Sequence, residues 1–184
     1  MTYGSVVEGL LQHGLGGQLS PELKARLRLI GVDVERPLLP AYPVKLWEHC
    51  LWAIIEDVYP GLPAERAFRA LGSRMTEGYG HTLLGRAMLV LARMLGPRRT
   101  LLRLPQLLAA TDNWSRPLLL ERAPCHFELR INDDLDLPGY MEGIFEALLR
   151  QAGASHPRVQ VLEKGSGGTL LELKWGEVSA ATPG

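Results

Sequence analysis

Several features that mark particular classes of protein are scarce in this sequence. Its only cysteines, Cys50 and Cys125, do not form a CxxC pair, and each falls on a predicted apolar face. Small secreted domains commonly rely on several disulfides, so we expect two reduced, buried thiols in a cytoplasmic protein. No apolar run has the length of a membrane span, and the segment before Lys24 lacks the charged start and cleavage site of a signal peptide. The sequence therefore predicts neither a secreted nor a membrane protein.

Net charge is also absent, because 20 basic and 20 acidic side chains cancel. A neutral chain has no broad electrostatic field that would attract nucleic acid or an anionic membrane surface, so we expect neither partner. Its 184 residues are enough for one hydrophobic core. We predict a single domain, 1–184, with a mostly helical part (1–113), a ββαββ part (114–176) and a loose tail (177–184).

Helical periodicity dominates the first part of the chain. Ser20 is a natural N-cap, Pro21 suits the first helical position, and Gly31 can end the helix that they begin. A second helix is predicted in YPVKLWEHCLWAIIEDVYPG, and a third begins near Pro63 and ends near Gly78. Another long helix is predicted within GYGHTLLGRAMLVLARMLG.

Further along, the period changes from about 3.6 to about 2, which indicates strands. Apolar and polar residues alternate in CHFELRIND, a weaker strand precedes it in SRPLLLERA, and HPRVQVLEK can pair with TLLELKW across GSGG. The helix PGYMEGIFEALLRQAG separates the two pairs. The predicted fold is α+β, with N-terminal helices packed on a C-terminal antiparallel sheet of ββαββ order. We expect one face of that sheet to be apolar (Phe127, Leu129, Ile131, Val161, Leu171, Leu173, Trp175) and the other polar (His126, Glu128, Arg130).

His81 is the sharpest candidate for a functional residue. It shares a helical stripe with Gly85 and Met88, on or beside the buried side of its helix. Three interpretations stay open: a ligand of haem iron or another metal, a packed histidine whose N–H is satisfied in the core, and a histidine that lines a ligand cavity. A cavity between the helices and the sheet would be lined by His81, Gly85, Met88, Phe127, Leu129 and Tyr140.

Motifs for metal binding and catalysis are missing. The five histidines are scattered singly, without an HxxxH or HExxH spacing and without a neighbouring cysteine pair. No serine stands in a GxSxG setting, and both cysteines fall on apolar stripes. We therefore expect no metal site, no haem and no catalytic residues, which predicts a protein without enzymatic activity.

Two surface features suggest a protein partner. Trp52 lies on a polar helical stripe, where an exposed indole would anchor an interface unless the N-terminal segment covers it. A basic cluster could hold a phosphate or an acidic partner, or merely meet the negative end of a helix dipole (Arg93, Arg98, Arg99, Arg103). Strips of small residues would allow close approach of another helix (Gly85 and Ala92; Gly139, Gly143 and Ala147). We predict a homodimer with Trp52, Arg98, Arg99 and Arg103 at or beside its interface.

Several stretches together resemble a Myxococcus-type family of small proteins of unknown function that occur in many paralogous copies. They are DVERPLLPAYPVKLWEHCLWAI, RALGSRMTEGYGHTLLGRAM, MLGPRRTLLRLP and LPGYMEGIFEALLRQAGA, with a closing strand that ends in Trp175. The resemblance covers about Gly31 to Trp175. It implies a stand-alone domain in a bacterium with elaborate signalling, and it brings no catalytic residues.

More distantly, PGYMEGIFEALLRQAG and the two strands after it are similar to the end of haem-NO-binding sensor domains and of vinyl-reductase-like small-molecule-binding domains. That similarity implies helices on an antiparallel sheet with a ligand held between the layers. The tyrosine-serine-arginine signature that holds haem propionates is absent, so the resemblance supports the arrangement of helices and sheet but not haem binding. We expect a sensory or regulatory domain for a small apolar or planar ligand, or alternatively a protein-protein interaction module with a filled core.

Overall fold

The computed structural model describes residues 1–16, 19–132 and 135–176, so the predicted loose tail, 177–184, lies outside the described residues. The N-terminal part is mostly helical, as predicted. Its helices are α1 (Gly4–Glu8), a π-helix (Gly9–Gly14), α2 (Pro21–Ile30), α3 (Val44–Val58), α4 (Ala64–Tyr79), α5 (Leu83–Leu102) and α6 (Leu104–Ala109). Two short strands, β1 (Thr2–Tyr3) and β2 (Ala41–Tyr42), pair antiparallel beside them.

The ends of α2 are set by the residues that predicted them. The Ser20 Oγ accepts a hydrogen bond from the Leu23 amide at 3.0 Å, and Pro21 is the first helical residue. Gly31 ends the helix with a φ of 123°, which glycine adopts without strain. Helices α3 and α4 each turn an apolar stripe inward; its buried residues are Trp47, Cys50, Leu51, Ile54, Ala67, Phe68, Leu71 and Met75.

Helix α5 differs from the prediction at both ends. It begins at Leu83, because the Thr82 side chain caps it by accepting a hydrogen bond from the Gly85 amide at 3.1 Å. It continues to Leu102 across a break at Gly96, where φ is 75°. The predicted end at Gly96 is therefore an internal kink, and Gly80, His81 and Thr82 form the turn between α4 and α5.

The C-terminal part has the predicted ββαββ order. Its elements are β3 (Leu118–Ala123), β4 (His126–Ile131), α7 (Tyr140–Gln151), β5 (Ser155–Gly165) and β6 (Gly168–Gly176). The strands form one antiparallel sheet in the order β3-β4-β6-β5. Cys125, predicted within a strand, instead lies in the turn before β4, and its carbonyl accepts a hydrogen bond from the Trp175 amide at 3.2 Å.

The faces of the sheet agree with the predicted alternation except at one position. Val161 is 40% exposed, although it pairs in register with the buried Leu171. Strand β5 is an edge strand whose pairing shifts between Val161 and Glu163, so its burial stops at Val159. The other predicted inward residues are buried, and those predicted outward are only partly buried (His126, Glu128, Arg130).

Two hydrophobic cores result. The helical core is built by α1 to α4, whereas the sheet core joins α7 and the sheet to Leu101 and Leu104. Helices α4 and α7 cross closely between them: a Cβ at Gly143 would lie 2.0 Å from the Arg69 carbonyl oxygen. The small-residue strip predicted on α7 is therefore occupied within the chain by α4 and is not available to a second copy.

Candidate functional site

An apolar cavity of about 170 Å³ lies among the helices, where the helical core meets the sheet core. Met141 packs against both cores and forms part of its wall. The helices α3 to α7 supply most of the lining; the residues are Trp47, Leu51, Met75, Thr76, Tyr79, Met88, Leu89, Leu104, Leu107, Leu108, Tyr140, Met141, Ile144, Phe145 and Leu148. The loop 111–115, Leu135, Leu137 and the N-terminal residues Thr2 and Val6 complete it.

The size and walls of this cavity decide what it could hold. An engineered cavity of about 150 Å³ with leucine, isoleucine and phenylalanine walls stays dry and binds benzene. A cavity of about 170 Å³ with comparable walls therefore suits a single aromatic ring or a short aliphatic molecule. Pockets for larger, drug-sized ligands typically measure about 300 to 1,000 Å³.

Two tyrosines place neutral polar groups in the wall. Burial raises the pKa of Tyr140 above its usual range, and the Trp47 side chain opposes part of this shift. Burial also raises the pKa of Tyr79 to about 12, and its hydroxyl lies 3.4 Å from the Met88 Sδ and 3.5 Å from the Ala110 carbonyl oxygen. Both phenols are uncharged at neutral pH, so they can orient a ligand by hydrogen bonding without supplying charge.

Asp112 is the only charged side chain that lines the cavity among the described residues. Its Oδ1 accepts hydrogen bonds from the amides of Trp114 (2.9 Å) and Ser115 (2.7 Å), and its Oδ2 accepts one from the Ser115 hydroxyl (2.7 Å). These bonds shape the loop at this end of the cavity. The carboxylate therefore stabilises the loop, and the rest of the cavity wall favours an uncharged ligand.

The structure brings together only part of the predicted pocket. Met88 and Tyr140 line the cavity, whereas Gly85 is buried against Tyr79, whose carbonyl oxygen would lie 1.9 Å from an added Cβ. Phe127 and Leu129 are fully buried in the sheet core and do not reach the cavity. Their strand packs on α7, so α7 separates the sheet from the cavity.

His81 is exposed, and the prediction that it faces the core was wrong. The reason is the cap at Thr82: the helix begins after His81, so the helical stripe does not extend to it. Its ring lies 5.7 Å from that of His13, which is also exposed. A histidine in this position cannot act on a ligand in the cavity.

Trp52 is half-buried in its own chain, contrary to the prediction of an exposed anchor. Its indole Nε1 donates to the Asp136 carbonyl at 3.1 Å, and its ring packs edge-to-face on Phe68 with centroids 4.7 Å apart. The segment before α7, and not the N-terminal segment, supplies this cover. Trp52 therefore packs against the helical core, and the homodimer stays a prediction without a free indole to anchor it at this position.

The basic cluster is partly neutralised. Arg98 pairs with Glu121 through two hydrogen bonds of 2.6 and 3.0 Å, and Arg93 donates to the Gln151 side chain at 2.7 Å. Arg99 and Arg103 are exposed, and Arg103 lines a second, shallower groove between α5 and α6. The cluster thus surrounds an apolar surface and does not converge on one anion site.

Three further observations concern metals, thiols and membranes. Nowhere in the described part of the chain do three His, Cys, Asp or Glu side chains gather as metal ligands do. The Cys50 thiol is buried, which raises its pKa to about 12, so it stays protonated and unreactive at neutral pH. None of the described helices combines the length and apolar character needed to cross a bilayer.

Sequence reasoning missed much of the cavity wall. The segment that forms α6 looked irregular, yet Leu104, Leu107 and Leu108 all contribute to the lining. A detectable signal lay in α7, which has one apolar stripe toward the sheet and another through Ile144 and Leu148 toward the cavity. Two apolar stripes on one helix indicate two separate packing surfaces.

The fold is similar to that of H-NOX proteins. The Fe(II) unliganded H-NOX protein from K. algicida matches with a TM-score of 0.67 and 8% identity over 99% of this chain and 100% of that chain. A mutant of that protein gives a TM-score of 0.68 and 8% identity over 96% and 98%. An oxygen-binding H-NOX domain related to soluble guanylate cyclases gives 0.64 and 12% identity over 95% of each chain.

Such low identities establish the fold alone. The N-terminal helices packed on a four-stranded antiparallel sheet form an H-NOX-like α+β fold, which confirms the predicted fold class and the distant resemblance to haem-NO-binding domains. No curated protein sequence is significantly similar to the chain. A sequence family matches it over residues 1–176, and this confirms the resemblance to a family of unknown function. The chain belongs to the family described as "Protein of unknown function (DUF2378)".

Proposed function

We propose that this chain is a sensory or regulatory domain without enzymatic activity, which binds one small apolar molecule in the cavity beside Met88 and Tyr140. The observation that carries the proposal is the cavity of about 170 Å³ with apolar walls inside an H-NOX-like fold. Empty apolar volume destabilises a protein, because the lining atoms lose contacts on one side. A ligand of matching shape restores those contacts and stabilises the folded chain.

The ligand class follows from the wall. Uncharged molecules of one ring or a short aliphatic chain fit the volume, and the Tyr140 hydroxyl offers a hydrogen bond to a ligand with one polar atom. Charged molecules would lose their hydration without gaining a counter-ion, since no basic side chain lines the described wall. The Ser115 hydroxyl, which pairs with the Asp112 carboxylate in the described wall, belongs to the turn of the loop, and this favours a binding function over catalysis.

Haem does not fit this cavity. One of the similar structures concerns haem distortion in the H-NOX family, but a tetrapyrrole is several times larger than a single ring. The residues that line the described part of the cavity include no histidine or cysteine, and no arginine or lysine that could pair with propionates. Mixing the purified protein with haemin should produce no stoichiometric Soret band, and a band of full strength would contradict this conclusion.

The proposal can be tested with benzene as the probe. Benzene at saturating concentration should raise the melting temperature of the wild-type protein by mass action, whereas benzoate, of similar shape but charged, should not. The variant Leu148→Phe places a ring into the cavity and should lose the response to benzene. Leu120→Phe adds the same ring at an exposed position on the sheet and should respond like the wild type.

Equal responses of Leu148→Phe and wild type would place benzene elsewhere and contradict the proposal, as would no response of the wild type. The alternative of an interaction module with a filled core is less well supported, because the core contains the cavity. One observation nevertheless favours a protein partner in addition to a ligand, namely the exposed apolar face of α5.

A further inference from the structure

Helix α5 is apolar on the side that faces solvent as well as on the side that faces the protein. Leu83 is 91% exposed and Met94 is 79% exposed, and Val90 and Leu91 lie exposed between them. A helix that is apolar all round is normally buried. An exposed apolar surface of this kind marks an interaction site more often than a free surface.

This outer face cannot turn inward. Gly85 sits directly against the end of α4, since an added Cβ would lie 1.9 Å from the Tyr79 carbonyl oxygen. The Thr82 cap fixes the start of the helix, and Ala92 is buried two turns later on the same inner side. The rotation of α5 is therefore set, and its outer leucines need a cover from outside the described chain.

The apolar surface continues into a groove between α5 and α6. Its walls include Leu84, Met88 and Leu91 from α5, Leu107 from α6, and Ala110, which follows α6. The groove has a volume of about 470 Å³, enough for several apolar side chains. A concave surface of this kind receives the ridge of another helix, as in helix-in-groove recognition.

The segment that forms this surface has charges of one sign only. Between Gly78 and Thr111 the chain has five arginines and no acidic residue, although the whole chain is neutral. Arg86 and Arg93, two turns apart, follow one edge of the outer face, and Arg103 lines the groove. Arg86, Arg99 and Arg103 form no ion pair with a described residue, so their charges remain for a partner.

We propose that the outer face of α5 and the α5–α6 groove bind an amphipathic helix of a partner protein that has acidic residues along its flanks. A second copy of this chain is a poor occupant, because a symmetric interface here would bring the same arginines together. An anionic bilayer would satisfy the arginines but, being flat, would leave the groove unfilled.

A designed peptide tests this proposal without knowledge of the natural partner. The probe is a fluorescent amphipathic helix of about 18 residues with leucines on one face and glutamates on both flanks. A matched peptide carries lysine in place of each glutamate. Fluorescence anisotropy with the full chain should show binding of the glutamate peptide that is about tenfold tighter or more than binding of the lysine peptide.

Variants locate the site. Met94→Glu and Leu91→Glu should each weaken binding of the glutamate peptide about tenfold or more, whereas Leu29→Glu, at a leucine 88% exposed on α2, should not. Arg103→Glu should weaken binding of the glutamate peptide and strengthen binding of the lysine peptide. Melting curves show whether each variant is folded. Because Met94 is largely exposed, Met94→Glu should stay folded and can test the proposal even if Leu91→Glu unfolds.

Three results would overturn the proposal: no binding of either peptide, equal binding of both, or equal binding by Met94→Glu and wild type. Vesicles of phosphatidylglycerol and phosphatidylcholine provide the remaining comparison. Binding to these vesicles that Met94→Glu abolishes, without binding of the glutamate peptide, would identify a bilayer as the occupant and reject the partner helix.

Discussion

At the scale of single residues, the hydroxyl groups of two tyrosines give opposite predictions for the same substitution. The hydroxyl of the buried Tyr42 accepts a hydrogen bond from the Leu39 amide at 2.9 Å, so Tyr42→Phe leaves that N–H without its partner. We expect the free energy of unfolding to fall by about 1 to 3 kcal/mol. The Tyr59 hydroxyl has no hydrogen-bond partner among the described residues, so Tyr59→Phe should be neutral or stabilising. Urea denaturation of both variants checks this, and an equal loss in both would contradict it.

Glu142 gives a prediction about pH. Burial raises the pKa of this carboxyl, the nearby Glu65 and Glu146 raise it further, and Arg69 opposes them. The pKa of Glu142 is thus higher in the folded state than in the unfolded state. At a pH between these two values the folded state binds more protons, so the free energy of unfolding falls as the pH rises through this range. Glu142→Gln should therefore stabilise the chain at pH 7 and flatten the dependence of the unfolding free energy on pH above about 4.

A neighbouring glutamate is the matched control for that experiment. Glu146 accepts hydrogen bonds from Arg69 at 2.9 Å and from the Val159 amide at 3.2 Å, which link α4, α7 and β5. Glu146→Gln should destabilise the chain by about 1 to 3 kcal/mol at pH 7. A destabilised Glu142→Gln variant would mean that the charged form of Glu142 is favoured in the folded protein.

At the scale of elements, the crossing of α4 and α7 positions both cores and the cavity. A Cβ at Gly72 would lie 2.3 Å from the Tyr140 carbonyl oxygen, which is backbone and cannot rotate away. Gly72→Ala should therefore separate the helices and cost about 1 to 3 kcal/mol or more. Gly165→Ala is the control, because a Cβ there meets open space. Equal unfolding free energies for the two variants would show that the crossing is looser than its geometry indicates.

The sequence was most informative where one local cause determines an element. The Ser20 cap and the alternation from Phe127 to Ile131 depend on neighbours in the chain, and both predictions are confirmed. His81 was assigned to the core because periodicity alone does not locate the Thr82 cap. Val161 follows the apolar alternation of its strand but lies in a part of the edge strand β5 that no other element covers. The burial of such positions depends on which elements pack together, and local sequence patterns do not contain that information.

The cavity was harder to predict than the fold for the same reason. An apolar side chain that lines a cavity and one that fills a core have the same pattern in the sequence, and only packing distinguishes them. Met88 and Tyr140, which were predicted as inward residues, line the cavity. Phe127 and Leu129 are equally inward but pack behind α7, which the alternation of their strand could not reveal.

At the scale of the whole molecule, the cavity and the α5–α6 groove share a wall. Met88 and Leu107 line both, so the two proposed sites lie back to back across these side chains. A ligand in the cavity would support the wall from behind and reduce the motion that a partner helix must otherwise suppress. Binding of one should therefore favour the other, and the effect must be reciprocal.

This coupling can be measured with the same two probes. Saturating benzene should tighten binding of the glutamate peptide about fivefold or more, and the peptide should tighten benzene binding by the same factor. Leu148→Phe fills the cavity with a side chain, so it should bind the peptide as tightly as the benzene-loaded wild type does and should not respond to benzene. Peptide affinity that benzene leaves unchanged in the wild type, while each probe still binds alone, would show that the shared wall is rigid and that the two sites act independently.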